Sequence, residues 1–115
     1  MKSRRLIVLV LCGLAGFCAS LGPAAAAEEP ERTIVIKQHR FEPNLVEVPA
    51  GVRVRLIVDN QDPTAEEFES TDLRREKVVP GKSKGIVWVG PLPAGEYAFF
   101  GDFHQKTAQG KLVAK

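Results

Sequence analysis

Two short polar stretches of the sequence carry side chains that could bind a metal ion. One follows the apolar run 97–100 and contains Asp102 and His104, and the other is the pair Glu66 and Glu67. Imidazole and carboxylate groups together suit Cu(II), Fe, Mn or Zn. A single histidine in a polar loop is also compatible with a solvated turn that binds nothing. The metal site is therefore a hypothesis, and it depends on a fold that brings the two stretches together.

Glu66 is the most informative of these residues. In an extended segment it points to the same side as Phe68, the one large apolar side chain of the stretch EEFES. A buried carboxylate without a partner costs several kcal/mol, on the order of a desolvated unpaired polar group or more. We therefore expect Glu66 to contact a cation or His104, whereas Glu67 and Glu69 lie on the opposite, wetter face.

The first 27 residues have the three parts of a secretory signal peptide. Lys2, Arg4 and Arg5 precede an apolar run, and the small residues 25–27 form an A-x-A cleavage site. We predict a signal peptide over 1–27, an exported domain over 28–115 and a periplasmic location. Cleavage would remove three of the 16 basic residues and none of the 14 acidic ones, which changes the net charge from +2 to −1. This slightly negative net charge does not favour binding to nucleic acid.

Cleavage would also remove both cysteines and the single methionine. The exported domain would then contain no sulfur, so it can form no disulfide and can offer a metal only nitrogen and oxygen ligands. No nucleophile–histidine–acid set and no phosphate-binding glycine loop is present in the sequence, so hydrolase and nucleotide-binding functions have no support.

The rest of the chain predicts a small all-β domain. Residues 52–58 alternate between apolar and basic side chains, which is typical of a strand with one buried face. Other short β-rich segments are separated by Pro/Gly turns, and no window has a sustained helical period. We predict a single antiparallel β-sandwich or barrel of about seven or eight strands. The predicted strands are 33–36, 41–48, 52–58, 85–89, 97–100 and 111–113. The stretch 66–70 is a further strand if it is extended, and 73–79 is either an edge strand or an irregular connection.

The order of motifs resembles the cupredoxins, small blue-copper β-sandwiches with Greek-key topology. The run FEPNLVEVPAG, an Asn-Gln-Asp turn, a polar motif ending in Phe68 and the pattern Y-x-F-F-x-x-x-H carry the resemblance. In that family a histidine after the third strand, a cysteine, a second histidine and a methionine hold the copper. The resemblance places the cysteine at Gly101, the second histidine at His104 and the first histidine at Glu66, with the methionine near Gln109. It also implies that His39, two residues before Phe41, lies on the rim of the site.

The resemblance implies the fold but excludes a blue type 1 copper centre, because the thiolate ligand is missing. The strings EEFES and FFGDFHQKTAQG are similar to a cysteine-free periplasmic subgroup that accompanies bacterial high-affinity iron permeases. That similarity implies a copper or iron site with ligands among His39, Glu66, Glu67, Asp102 and His104. It also implies a role beside a periplasmic iron-binding protein and a membrane iron permease, in ferrous iron oxidation before transport.

Two alternatives remain open at this stage. The protein could bind or deliver copper without any connection to iron, or it could be a metal-free sandwich that serves as an interaction module. Whether the domain turns over or only binds metal, and in which oligomeric state, is also left open by the sequence.

Overall fold

The computed structural model describes residues 29–115 and Gly16. The predicted signal peptide, residues 1–27, lies outside the described residues apart from Gly16. Within the described part of the chain, no helix is long and apolar enough to cross a membrane. The described residues form strands and one short 3-10 turn, Asp102–His104. The strands are β1 Glu31–Lys37, β2 Arg40–Glu42, β3 Leu45–Val48, β4 Val54–Asn60, β5 Glu66–Ser70, β6 Arg75–Val79, β7 Ser83–Val89, β8 Gly95–Gly101 and β9 Gln109–Ala114.

The strands form two sheets that pack as a β-sandwich. One sheet has the order β2-β1-β4-β7 and the other has the order β3-β9-β8-β5-β6. The predicted all-β sandwich is confirmed. Most neighbours are antiparallel as expected, but β1 with β4 and β3 with β9 are parallel pairs. Parallel pairing arises here because the chain changes sheets between strands, so these neighbours in space are distant in sequence.

The segment 41–48 was predicted as one strand, and this prediction is wrong. The chain leaves the four-stranded sheet after Glu42 and enters the five-stranded sheet at Leu45. Pro43 has no backbone N–H to donate to a strand ladder, which explains the break. Asn44 lies in the connection between the sheets. Its carbonyl oxygen accepts a hydrogen bond from the Lys111 amide of β9 at 2.7 Å, so the chain joins the five-stranded sheet here.

The core lies between the sheets and is aromatic near the predicted metal site. Phe41 comes from the four-stranded sheet, whereas Phe68 and Phe99 come from the five-stranded sheet. The ring centroids of Phe99 lie 5.1 Å from those of Phe41 and Phe68. Phe68 also pairs with Gly101 across β5 and β8. This pairing brings the end of β8 next to β5. The 3-10 turn that follows Gly101 therefore lies beside Glu66, at the start of β5.

Candidate metal centre

Glu66 and His104 form a buried carboxylate–imidazole pair. Glu66 is the first residue of β5 and is 1% exposed. Its Oε2 lies 2.5 Å from Nδ1 of His104, and its Oε1 accepts hydrogen bonds from the amides of Phe103 at 2.9 Å and Glu67 at 3.0 Å. These three contacts offset the cost of burying a carboxylate. The expectation that Glu66 points inward and meets His104 agrees with this geometry.

The second imidazole, His39, lies in a two-residue hairpin between β1 and β2. Gln38 and His39 have φ values of 52° and 58°, and a tight hairpin of type I′ requires positive φ at both of its central residues. The carboxylate of Asp62 accepts a hydrogen bond from each of their amides, at 2.7 Å from Gln38 and 2.9 Å from His39. Asp62 Oδ2 also lies 3.4 Å from Nδ1 of His39. Asp62 thus fixes the hairpin that presents the imidazole.

The imidazole rings of His39 and His104 are stacked. Their centroids are 3.6 Å apart and their planes differ by 12°. One potential ligand atom from each of His39, Glu66 and His104 lies within 4.8 Å of the others. Because the lone pairs of an imidazole lie in the ring plane, two parallel stacked rings do not aim at a common point. A metal bound by both rings would require one of them to rotate.

The stacked rings border an open cavity of about 510 Å³. The cavity is lined by His39, Asp102, Phe103, His104, Gln105, Lys106 and Thr107. Glu66 and Asp62 are not among the lining residues. In each pair the carboxylate therefore lies behind the imidazole, and among the described residues neither Nε2 atom has a hydrogen-bond partner.

The five residues predicted as ligands divide into two groups. His39, Glu66 and His104 come together, and their role as metal ligands stays a prediction. Glu67 points to the other side of β5 and lies in an acidic cluster with Glu69 and Glu76. A hydrogen bond with Glu76, burial and the negative charges of Glu76, Asp102 and Glu69 raise the pKa of Glu67 to about 7.

Asp102 lies on the side of this acidic cluster. Its Oδ1 accepts a hydrogen bond from the side chain of Gln105 at 2.8 Å. Burial, together with the charges of Asp102 and Glu76, raises the pKa of Glu69. Glu67 therefore lies apart from the stacked imidazoles, because a strand turns successive side chains to opposite faces. Asp102 lines the cavity beside the rings but is outside the group of close donor atoms.

Sequence comparison with known proteins identifies the family. The model of the cupredoxin-like domain matches residues 7–114. The chain belongs to the cupredoxin-like domain family. It is also 43% identical over 121 residues to the uncharacterized protein RP394 of Rickettsia prowazekii (strain Madrid E), covering 97% of this chain and 94% of that protein.

Solved structures with the same fold include three proteins whose names refer to copper. An apo copper binding protein is 21% identical, with a TM-score of 0.65 over 74% of this chain and 86% of its own. The metal binding domain of the Streptococcus pneumoniae D39 Cu(I) exporting P-type ATPase CopA is 11% identical, with a TM-score of 0.66 over 74% and 84%. Auracyanin A, a "blue" copper protein from Chloroflexus aurantiacus, is 16% identical, with a TM-score of 0.66 over 76% and 100%. At these identities the likeness concerns the fold.

Gly101, which the sequence resemblance aligns with the cupredoxin cysteine, lies against Glu66. A Cβ atom on Gly101 would be 2.7 Å from Cδ of Glu66 and 2.6 Å from Cβ of Ala108, closer than real Cβ contacts allow. The carboxylate of Glu66 therefore fills space that a side chain at position 101 would need.

Asp62 and Glu76 were missed in the sequence. Asp62 belongs to the Asn-Gln-Asp turn, which has an ordinary explanation as a turn between strands. Its contact with the hairpin spans more than 20 residues of chain and leaves no local pattern. The position of Glu76 could have been suspected from the sequence. The charged strands β5 and β6 are consecutive, and their antiparallel pairing puts Glu76 opposite Glu69.

Proposed function

We propose that this protein binds a copper or iron ion through His39, Glu66 and His104. The observation that carries the proposal is the approach of three donor groups from three separate segments within 4.8 Å, one of them a carboxylate buried to 1% exposure. A buried carboxylate aimed at an imidazole is typical of a metal or catalytic site. No nucleophile accompanies the pair among the described residues, which favours metal binding.

The donor set fits such an ion, with one rearrangement. Glu66 and His104 form the fixed part, because the amides of Phe103 and Glu67 hold the carboxylate in place. The side chain of His39 is 43% exposed, so this ring has the freedom to leave the stack and turn toward a shared ion. Glu66 would either coordinate the ion itself or orient the His104 ring so that Nε2 faces the cavity.

The chemistry of the ligands limits the metal. At equal supply, the order of affinities for nitrogen and oxygen ligands favours Cu(II) over Fe(II). Hard ligands also hold Cu(II) and Fe(III) better than Cu(I) and Fe(II), which is the direction that oxidation of ferrous iron requires. With Gly101 in place of a thiolate, the bound copper would lack the intense blue colour of a type 1 centre.

We further propose a role in periplasmic iron uptake. The predicted signal peptide supports export, and the resemblance of EEFES and FFGDFHQKTAQG to the permease-associated subgroup supports the pathway. In this role the protein acts beside a periplasmic iron-binding protein and a membrane iron permease, either as an iron-oxidising component or as a metal carrier.

Copper binding or delivery without iron is the second candidate. It is favoured by the copper-binding proteins of the same fold, which include a domain of a Cu(I) exporter. The N/O ligand set argues against Cu(I) as the cargo of this chain, since thiolate and thioether ligands are the ones that select Cu(I).

The test is metal analysis of protein purified without chelator, followed by calorimetric titration of Cu(II) and of Fe(II) under anaerobic conditions. We expect one ion per chain for the wild type and a loss of affinity of at least about 10-fold for His104→Ala and Glu66→Gln. Lys84→Ala, an exposed change in β7 outside this cavity, is the control and should bind as the wild type does.

The titrations also separate the candidates. Copper-loaded protein that accelerates loss of Fe(II) in air supports the iron role, and copper binding without that acceleration supports the delivery role. Wild-type protein that binds neither ion would contradict the metal proposal and leave the interaction module as the remaining function.

A further inference from the structure

Asp62 is a buried carboxylate whose two oxygens both accept hydrogen bonds from the hairpin that contains His39. It is 7% exposed and lies in the connection between β4 and β5, outside the group of potential metal ligands. Each oxygen accepts one backbone amide, from Gln38 at 2.7 Å and from His39 at 2.9 Å.

The hairpin needs this support because both of its central residues have positive φ. A non-glycine residue is held in the left-handed region at a cost and persists there only where its surroundings fix it. Thr107 supplies the other constraint, since its hydroxyl donates a 2.6 Å hydrogen bond to the His39 carbonyl oxygen. The backbone of His39 is thereby attached to the β4–β5 connection on one side and to the β8–β9 loop on the other.

Asp62 is itself held in place. Its amide donates to Oδ1 of Asn60 at 3.1 Å, and its carbonyl oxygen accepts the amide of Lys82 at 2.8 Å. Asn60 is buried, and its side-chain nitrogen donates to the carbonyl oxygens of Thr64 and Val79. The carboxylate is therefore a rigid support for the hairpin.

Asp62 also lies close to the imidazole itself. Its Oδ2 is 3.4 Å from Nδ1 of His39.

We propose that Asp62 is a positioning residue that acts through His39 and presents Nε2 of this imidazole to a divalent cation. The proposal rests on the proposed function for its metal, but the positioning of the ring is a property of the metal-free protein. The Asp62 carboxylate lies near Nδ1 of His39 without a hydrogen bond to it, and a carboxylate on that side of the ring favours the tautomer that leaves Nε2 free for a metal. Glu66 contacts His104 differently, because its Oε2 lies 2.5 Å from Nδ1 of that ring. Asp62 instead fixes the backbone of the His39 hairpin and leaves the exposed ring able to turn toward the ion.

The metal-dependent test is a double-mutant cycle with Cu(II) as the probe. Asp62→Ala should weaken Cu(II) binding by about 10–100-fold. In a His39→Ala background the same change should have no further effect. The electron paramagnetic resonance spectrum should lose the coupling of one nitrogen in Asp62→Ala. Asp59→Ala is the matched control, because among residues 29–115 the Asp59 carboxylate is hydrogen-bonded only to the Gln61 side chain. Additive losses in the double variant would overturn the proposal.

The metal-free test follows the histidine ring signals by nuclear magnetic resonance. Stacking shifts the ring protons of His39 and His104, and Asp62→Ala should remove that shift while Asp59→Ala keeps it. Unchanged His39 signals would also overturn the proposal. Should Asp62→Ala fail to fold, Asp62→Asn keeps one acceptor oxygen for one of the two amides and should give a partial loss. Failure of the proposed function appears separately, as wild-type protein that binds no Cu(II) but still shows the Asp62-dependent ring shift.

Discussion

Gly101 and Glu66 are two residues whose packing leaves no room for a side chain at position 101. The carboxylate carbon of Glu66 and the methyl group of Ala108 both lie within 2.7 Å of where a Cβ atom on Gly101 would be. Neither neighbour is free to move, because Glu66 is held by three polar contacts and Ala108 is fully buried. The site therefore depends on a glycine here for its space and not for its backbone freedom.

Gly101→Ala should destabilise the protein and displace Glu66 from His104. We expect a loss of about 1–3 kcal/mol in the free energy of unfolding, the usual cost of an extra methyl group in a packed core. Urea denaturation measures it. Gly95→Ala is the control in the same strand, since the nearest atom to its Cβ would be 3.8 Å away.

A second variant tests the cause of that loss. Gly101→Ala combined with Ala108→Gly removes one of the two close contacts and should recover part of the stability. No recovery, or equal losses for Gly95→Ala and Gly101→Ala, would contradict the packing account.

The inward direction of Glu66 could be predicted from the sequence, because it follows from the alternation of a strand that contains Phe68. The identity of its partner was one of two options, and the structure gives His104. The stack of His104 on His39 could not be predicted. It depends on how two loops from different sheets meet, and a single sequence has no period or spacing that records such a contact.

The side chains of strand β5 alternate between its two faces, so its glutamates lie in two different environments. Glu66 points to the core side with Phe68, and Glu67 and Glu69 point to the other side toward β6. Glu69 and Glu76 are direct partners in the antiparallel register, and like charges directly opposite each other destabilise a sheet. The face is stabilised when one of its carboxyl groups carries a proton, which is why the pKa of Glu67 is raised to about 7.

The acidic face predicts a stability that falls as the pH rises. The folded-state pKa of Glu67, about 7, is above its ordinary value of 4.5, so the folded protein binds more protons than the unfolded chain between these values. The contribution of this group is fully present below about pH 4.5 and is lost as the pH rises through 7. Glu67→Gln should therefore flatten the profile of melting temperature between pH 4.5 and 8 and raise the melting temperature at pH 8.

Glu47→Gln is the control for this profile, because Glu47 is an exposed carboxylate paired with Lys115 on the surface. It should leave the slope of the wild type unchanged. An equal slope in Glu67→Gln and in the wild type would show that the three glutamates do not share a proton.

At the level of elements, the alternating segment 52–58 predicted a strand that the structure has at Val54–Asn60, because one face of β4 is buried along its length. Val52 is exposed in the preceding turn, so the predicted start was two residues early. The β1–β2 hairpin had no such signal. Its turn residues are Gln38 and His39, whereas two-residue hairpins of this type usually have Asn-Gly or Asp-Gly at these positions. Asp62 replaces that local preference with long-range hydrogen bonds, so the turn could not be predicted from neighbouring residues.

The whole molecule brings together donors that are far apart in the chain. His39, Glu66 and His104 lie in the β1–β2 hairpin, in β5 and in the β8–β9 loop, and so in segments from both sheets. An unfolded chain does not hold these three groups together. An ion bound by all three therefore stabilises the native state alone, by an amount set by its concentration relative to its Kd.

Binding should therefore raise the melting temperature by an amount that depends on which donors remain. At a free Cu(II) concentration of 100 times Kd the gain is about 2.7 kcal/mol. For a domain of this size that corresponds to a shift on the order of 10 °C. The urea midpoint should rise while the slope m stays constant, because the surface exposed on unfolding is unchanged. His104→Ala should lose most of the shift, and His39→Ala should retain part of it if the fixed Glu66–His104 pair binds first. Equal shifts in all three proteins would place the ion elsewhere on the surface.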